Sequence, residues 1–315
     1  MKLNMEPKPV LSICLNPAWE RRLFFREYRQ GGVNRAYRMG ECGGGKGVNV
    51  LRALRCLGVP AKVATFIGGS GVAGDYSSAL VNEIGSAGIF VKMAAPLRTC
   101  CELVDEGKGT VTEIIDSSPE VSEEELSAMM TALEQAIPSS GAVACCGTAS
   151  RGIGAECIGM IASMARDAEV PLIVDSVFGV ENALREKVAV LKVNAEELLG
   201  ISHKADIENA ALALLENYPG LSSIAVTEGA EGGRLFGRDG ACAYRLPLLS
   251  GVVSPIGAGD CATAVVLRRL AEGNVDMRDV FCEALACASA SCLEECPSYF
   301  RCEVAEEILG KIKCL

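Results

Sequence analysis

Short runs rich in Val, Ile and Ala alternate with longer stretches whose apolar residues recur at helical spacing, and this rhythm governs most of the 315 residues. Residues 10–15 (VLSICL) read as a first strand. Residues 46–57 read as a helix with Val48, Leu51, Leu54 and Leu57 on one face, closed by Gly58-Val59-Pro60. Residues 61–67 form a buried strand by the same logic, and 72–85 a helix. From Glu120 onward the alternation is regular. Helices are expected at 122–137, 154–168, 195–200 and 206–218, and strands at 142–146, 172–175, 188–193 and 224–227. A hairpin (233–236 and 241–246) and three closing helices (258–271, 277–292 and 302–313) follow. Ser122-Glu123-Glu124-Glu125 has the form of a capping box. The pattern predicts an α/β protein with a doubly wound, mostly parallel sheet between two helical layers. Ligands of such sheets bind at loops leaving the C-terminal ends of strands.

Two stretches break the rhythm. Residues 20–40 alternate apolar with polar around a Gly-Gly turn, and 90–93, 99–104 and 110–115 are short strands separated by turns such as Asp105-Glu106-Gly107. They are expected to form one small sheet, inserted discontinuously from about 18–40 and 90–115 and lying over a single domain spanning 1–315.

Composition removes several classes of function. A net charge of −10 without a basic run argues against nucleic acid as a partner. No apolar run is long enough to span a membrane. Sixteen Cys occur without a CxxC pair and with one His in the chain, which argues against a zinc site and against Ser-His-Asp chemistry. The lone His203 falls in a polar turn (GISHKADIE) and reads as a solvated loop residue. The thiols read as small core hydrophobes in a reducing cytoplasm, and MKLNMEPKPV shows no apolar signal core.

Four loops carry candidate chemistry. Gly43-Gly44-Gly45-Lys46-Gly47-Val48-Asn49 opens a helix with glycines that let a ligand approach the backbone, and Lys46 adds a point charge. The spacing is not that of a P-loop, and a flexible capping turn is the plain alternative. Gly257-Ala258-Gly259-Asp260 can turn consecutive N–H groups toward one point and set a carboxylate beside it. Read structurally, Asp260 is an acid in a first helical turn, and the residues alone leave the two readings even. Lys192-Val193-Asn194-Ala195-Glu196-Glu197 enters a helix, where Asn194 and Glu197 also fit an ordinary capping box. Thr227-Glu228-Gly229-Ala230-Glu231-Gly232-Gly233 is by itself a hairpin turn. Together, two anion-suited loops and an acid at strand ends describe phosphoryl transfer between a nucleotide and a hydroxyl.

The ordered set LNPAWE (15–20), VNR (33–35), GGKGVNV (44–50), GTVTEI (109–114), KVNAEEL (192–198), TEGAEGG (227–233) and GAGD (257–260) resembles the ribokinase-like PfkB carbohydrate kinases. The nearest branch is that of 1-phosphofructokinase and tagatose-6-phosphate kinase, and the resemblance runs from Leu15 to about Leu293. It implies an ATP-dependent, Mg²⁺-requiring phosphotransferase acting on a phosphorylated ketohexose, a small-molecule partner. Asp260 would be the general base and Gly257, Ala258 and Gly259 the anion hole. Glu20, Gly44, Gly45, Lys46 and Asn49 would hold the sugar, and Arg35 and Arg98 its phosphate. Lys192, Asn194, Thr227 and Gly229 would face the nucleotide phosphates, and Glu197 would order Mg²⁺ through water. The small sheet would be the family's lid, which often pairs two subunits as a homodimer. The chain departs from the family at Glu20 (usually Asp), Cys100 (commonly Asn), Gly147–Gly152 (GTASRG, without the usual Pro), Val193 (usually Pro), Ser254-Pro255-Ile256 and Cys261. Two alternatives stay open: a kinase for another sugar or a nucleoside, and a degenerate member that binds a sugar phosphate without turnover.

Overall fold

The computed structural model describes residues 7–273 and 276–315. Residues 1–6, which begin the stretch read above as lacking a signal core, lie outside the described residues. The strands are β1 (Val10–Cys14), β2 (Ala18–Phe25), β3 (Arg38–Gly44), β4 (Ala61–Gly68), β5 (Gly88–Met93), β6 (Arg98–Asp105), β7 (Thr110–Ile115), β8 (Val143–Cys146), β9 (Leu172–Asp175), β10 (Val188–Asn194), β11 (Leu221–Thr227), β12 (Gly232–Gly237), β13 (Gly240–Arg245) and β14 (Lys313–Cys314). The helices are α1 (Lys46–Cys56), α2 (Val72–Ile84), α3 (Glu123–Ala136), α4 (Glu156–Asp167), α5 (Val180–Leu184), α6 (Ala195–Ser202), α7 (Ile207–Asn217), α8 (Ala258–Glu272), α9 (Met277–Ser291) and α10 (Cys302–Leu309).

The main sheet has ten strands in the order β14-β13-β12-β11-β10-β9-β8-β1-β4-β5. From β5 to β11 every pairing is parallel, and β12, β13 and β14 add an antiparallel edge. The chain runs outward from β1 through β4 to β5, then returns to the other side at β8. The switch in direction therefore lies between β1 and β8, where a doubly wound sheet opens a crevice.

Strand alternation builds two cores, one on each face. Leu11, Ile13, Val143, Cys145, Ile224 and Val226 point to the layer of α2–α7. Val10, Ala142, Ala144, Cys146 and Ala225 point to the layer of α1 and α8–α10, where Val50, Leu54, Val265, Phe281 and Leu285 meet them. Alanines on this second face let α8 approach the sheet closely, which sets the start of α8 at the crevice. All sixteen cysteines are free thiols. Those in the core fit the reading of small hydrophobes, and burial pushes Cys145 up to about 12. His203 is exposed, as expected, in the left-handed residue that ends α6. No helix among the described residues is long and apolar enough to cross a membrane.

A second sheet, in the order β3-β2-β6-β7, stands apart from the first. The buried pair Arg22–Glu102 joins its two central strands. Arg22 also donates to the Glu295 carbonyl and Arg38 pairs with the Glu295 carboxylate, tying this sheet to the segment before α10. One expectation fails here. Residues 90–93 do not belong to the small sheet: β5 pairs in parallel with β4, register Val63↔Gly88, and closes the main sheet. The small sheet is built from 18–25, 38–44, 98–105 and 110–115. The short α5 and the terminal β14 were not anticipated, and the last helix stops at Leu309 rather than 313.

Candidate active site

Gly257 caps α8 in the left-handed region at φ +82°. A Cβ there would stand 2.4 Å from Ser298 Oγ and 2.7 Å from Ser298 N, so only glycine admits this turn. Ser298 in turn donates to the Gly257 carbonyl at 3.0 Å. Ala258 N donates to the Pro255 carbonyl at 3.2 Å, so it is engaged within the turn. Gly257 and Gly259 N–H carry no hydrogen bond to the rest of the described chain and lie at the open first turn.

Asp260 follows in that first turn and is 5% exposed. Asn49 Nδ2 donates to its Oδ2 at 3.0 Å, and Lys46 Nζ lies 3.2 Å from its Oδ1. The orientation of Asn49 is itself fixed, because Arg52 donates to Asn49 Oδ1 at 2.8 Å. Arg52 also reaches the carbonyls of Gly43 at 2.8 Å and Pro297 at 3.1 Å, so α1, the glycine loop and the segment before α10 share one anchor.

Lys46 bridges to a second acid that sequence reasoning did not single out. Asp175, at the end of β9, is 2% exposed and lies 3.0 Å from Lys46 Nζ through Oδ1. Its Oδ2 accepts from Thr263 Oγ1 at 2.6 Å and lies 3.3 Å from Lys192 Nζ. Asp260, Lys46, Asp175 and Lys192 thus form a chain of alternating charge at the C-terminal ends of the parallel strands. Burial alone would raise Asp175, but Lys192, Lys46 and the Thr263 hydroxyl hold it below its ordinary value. Burial alone would lower Lys46, but Asp175 and Asp260 hold it well above the usual lysine range. Lys192 Nζ lies 2.8 Å from where a Cβ on Gly259 would stand, so the absence of a side chain there leaves room for the ammonium under the turn.

The other expected residues divide. Glu20, on β2, accepts from Gly45 N at 3.0 Å, and its Oε2 is buried without a partner. It borders a cavity of about 210 Å³ with Arg22, Cys42, Glu102, Cys296 and Pro297. Arg98 donates to the Asn16 carbonyl at 3.2 Å, and its Nε is buried and unpartnered. Asn16 is held by Ser118 at 2.8 Å and Thr148 at 2.9 Å. Arg35 is not brought to this group: it sits exposed in the loop between β2 and β3. The three expected cations are therefore placed differently within the single chain. Lys46 is balanced by two carboxylates, Arg35 lies in solvent, and Arg98 is left. The sequence showed Arg35 beside Val33 and Asn34, but not that 26–37 would run past the end of the small sheet.

On the opposite side, Asn194 and Thr227 are register partners at the ends of β10 and β11. Asn194 caps α6 with Glu197 in a reciprocal box, each bond 2.8 Å, as the plain reading held. The second Glu197 oxygen has no partner among the described residues. Gly229 opens the turn after Thr227 at φ +59°. Lys192, expected with them, is 4% exposed and holds its Nζ 3.3 Å from Asp175 Oδ2.

Glu20 supplies a pH test. Burial pushes it up to about 7, against the pull of Gly45 N–H and Arg52 and with a further push from Glu102 and Asp260. The folded state therefore prefers the neutral acid. That contribution to stability is complete below the ordinary value near 4.5 and is lost as pH rises through 7. Glu20→Gln is expected to match the parent near pH 5 and to exceed it at pH 8 by about 1–3 kcal/mol, allowing for partial solvent contact. Urea unfolding at the two pH values checks this, and an equal difference at both would place the Glu20 carboxyl in an ordinary environment.

The pfkB family carbohydrate kinase profile matches residues 9–299. Among solved structures, phosphofructokinase-2 from Escherichia coli superposes with a TM-score of 0.86 at 19% identity, covering 96% of this chain and 98% of that one. A possible 1-phosphofructokinase from Thermotoga maritima gives 0.85 at 20% identity over 97% and 98%. Ribokinase from Arabidopsis thaliana gives 0.71 at 18% over 97% and 99%. The fold is ribokinase-like throughout, and the profile match spans nearly the whole chain. A carboxylate held behind a left-handed glycine at the mouth of a parallel sheet is thus set in a chain that belongs to the pfkB family of carbohydrate kinases.

Proposed function

We propose that this chain transfers the γ-phosphoryl group of ATP to a hydroxyl of a phosphorylated ketohexose, with Asp260 as general base. The observation that carries the reading is Asp260 itself: a buried carboxylate in the same turn as free backbone N–H groups, oriented by Asn49 and Lys46. The acceptor hydroxyl sits against Asp260, which takes its proton as the oxygen attacks phosphorus. The N–H groups of Gly257 and Gly259 stabilise charge on the phosphoryl oxygens, and Ala258 joins them only by giving up its bond to Pro255. Lys46 and Asp175 fix the base in place, and Lys192 brings a cation beneath the turn.

Glu20, Gly44, Gly45 and Asn49 line the acceptor side, where the unpartnered Glu20 oxygen suits a sugar hydroxyl. Arg98, with no carboxylate facing it among the described residues, suits the acceptor's phosphate. Asn194, Thr227 and Gly229 lie on the nucleotide side. Mg²⁺ fits there, since the free oxygen of Glu197 is a hard donor and such ions take one or two carboxylates plus phosphates and water. When bound, it neutralises charge on the transferring phosphates. Structures of similar fold support this reading: phosphofructokinase-2 from Escherichia coli forms a complex with fructose-6-phosphate, and the ribokinase from Arabidopsis thaliana one with ribose and ATP.

A second reading is favoured by one observation. Within the single chain Lys46 is paired to two carboxylates and Arg35 is exposed in its loop, and an unphosphorylated sugar needs no cation. An ADP-release assay with ATP and Mg²⁺ separates the two, using fructose 6-phosphate, fructose 1-phosphate, tagatose 6-phosphate and fructose. Turnover confined to one phosphorylated ketose is expected. Turnover on fructose alone would favour the second reading. Silence across the panel in protein that binds ATP would overturn the proposed activity.

A further inference from the structure

The sulfur atoms of Cys242 and Cys314 lie 3.3 Å apart, although the residues are 72 positions apart in sequence. Their strands are neighbours at the edge of the main sheet. β13 and β14 pair as Tyr244↔Cys314 and Arg245↔Lys313, and Leu315 N donates to the Ala243 carbonyl at 2.9 Å. Cys242 is two residues from Tyr244, so the two thiols are diagonal neighbours on one face of the ladder. Cys314 is exposed and Cys242 half-buried. A disulfide needs the sulfurs about 2 Å apart. The required shift falls on a two-residue strand at the end of the chain, where few contacts resist it.

We propose that Cys242 and Cys314 form a reversible disulfide that staples the C-terminal strand to the edge of the main sheet. The oxidant is a small-molecule disulfide. The Cys314 thiolate attacks one of its sulfurs, forming a mixed disulfide and releasing one thiolate. Cys242 then loses its proton and attacks the Cys314 sulfur, expelling the second thiolate. Two protein thiols are oxidised, one small disulfide is reduced to two thiols, and the two protons lost by the protein end on them. The second step is favoured because the sulfurs already touch.

The staple has a structural consequence. β14 covers part of the outer edge of β13, which otherwise presents unpaired backbone groups. β13 is also half of the hairpin that follows the Thr227–Gly233 turn. The hydrogen bond between the thiols, together with some burial, holds Cys314 above its ordinary pKa, while Arg278 pulls it back. Cys282 on α9 is a competitor to test, since either thiolate, Cys314 or Cys242, would raise its pKa.

The test uses the reduced full chain, incubated with excess oxidised glutathione, quenched by alkylation and mapped by peptide mass spectrometry. The expected product is one linked species joining the Cys242 and Cys314 peptides, reversed by dithiothreitol. It should persist in Cys282→Ser and vanish in Cys314→Ser. The linked protein should melt about 5 °C or more above its reduced form, a shift that Cys314→Ser lacks. Separate glutathione adducts on the two residues would overturn the proposal, as would a link to Cys282. So would free Cys242 and Cys314 under conditions that modify the exposed Cys296.

Discussion

Asp260→Asn is expected to lower kcat by roughly 10²–10⁴-fold while leaving the melting temperature and the KM for ATP near those of the parent. The amide keeps the size and shape of the carboxylate, so the turn held by Gly257 and Ser298 has no reason to move. Its oxygen can still accept from Lys46 or from Asn49, and Lys46 keeps its second partner in Asp175. What the amide cannot do is accept a proton. The loss should therefore appear in turnover and not in nucleotide binding, whose proposed residues lie at Asn194, Thr227 and Gly229. The coupled assay measures kcat, and equilibrium titration with ATP measures binding. A variant that keeps full turnover would remove Asp260 from the role of base. A variant that loses ATP binding in proportion to kcat would instead mean that the carboxylate supports the fold of the site.

That prediction uses a residue the sequence marks. Asp175, which holds the same cluster together, is not marked, and the contrast shows what sequence pattern can carry. GAGD is visible because small residues lead straight into an acid and a helical pattern, although only the other motifs tip its reading from a helix start toward a site. The helix at 123–136 is legible because Ser122 and Glu125 form the box that their spacing announces. Asp175 stands alone after LIV, with no repeat or glycine beside it. A signal was present, since an acid at the C-terminal end of a buried parallel strand is costly unless paired. Its partners come from α1, β10 and α8, and only the fold brings them together. The misplacement of 90–93 has a similar cause. FVKM alternates in the same way whether it pairs with β4 or with β6, and register is a property of the assembled sheet. Arg35 shows the opposite limit. Residue type fitted a phosphate, but the loop carrying it runs through solvent.

Asp175→Ala is expected to destabilise the protein by about 3–5 kcal/mol and to lower turnover as well. Among the described residues the carboxylate is the one acid that Lys46 and Lys192 share, and both of its oxygens are in use. Removing it leaves Lys192, 4% exposed, without an acid partner among the described residues. Thr263 also loses the acceptor on Asp175, although the Gly259 carbonyl remains at 3.1 Å. Lys46 can turn wholly to Asp260, which changes the charge around the proposed base. For a chain of this size the stability loss corresponds to a fall in melting temperature of about 5–8 °C. Calorimetry reads the stability, and the coupled assay at a temperature where the variant is folded reads the chemistry. Asp175→Asn separates the two roles, because it keeps the acceptor for Thr263 and removes only the charge. If Asn restores stability but not turnover, the charge at 175 acts on the reaction through Lys46. If it restores both, the carboxylate serves packing and hydrogen bonding alone, and the alternating charge chain has no part in catalysis.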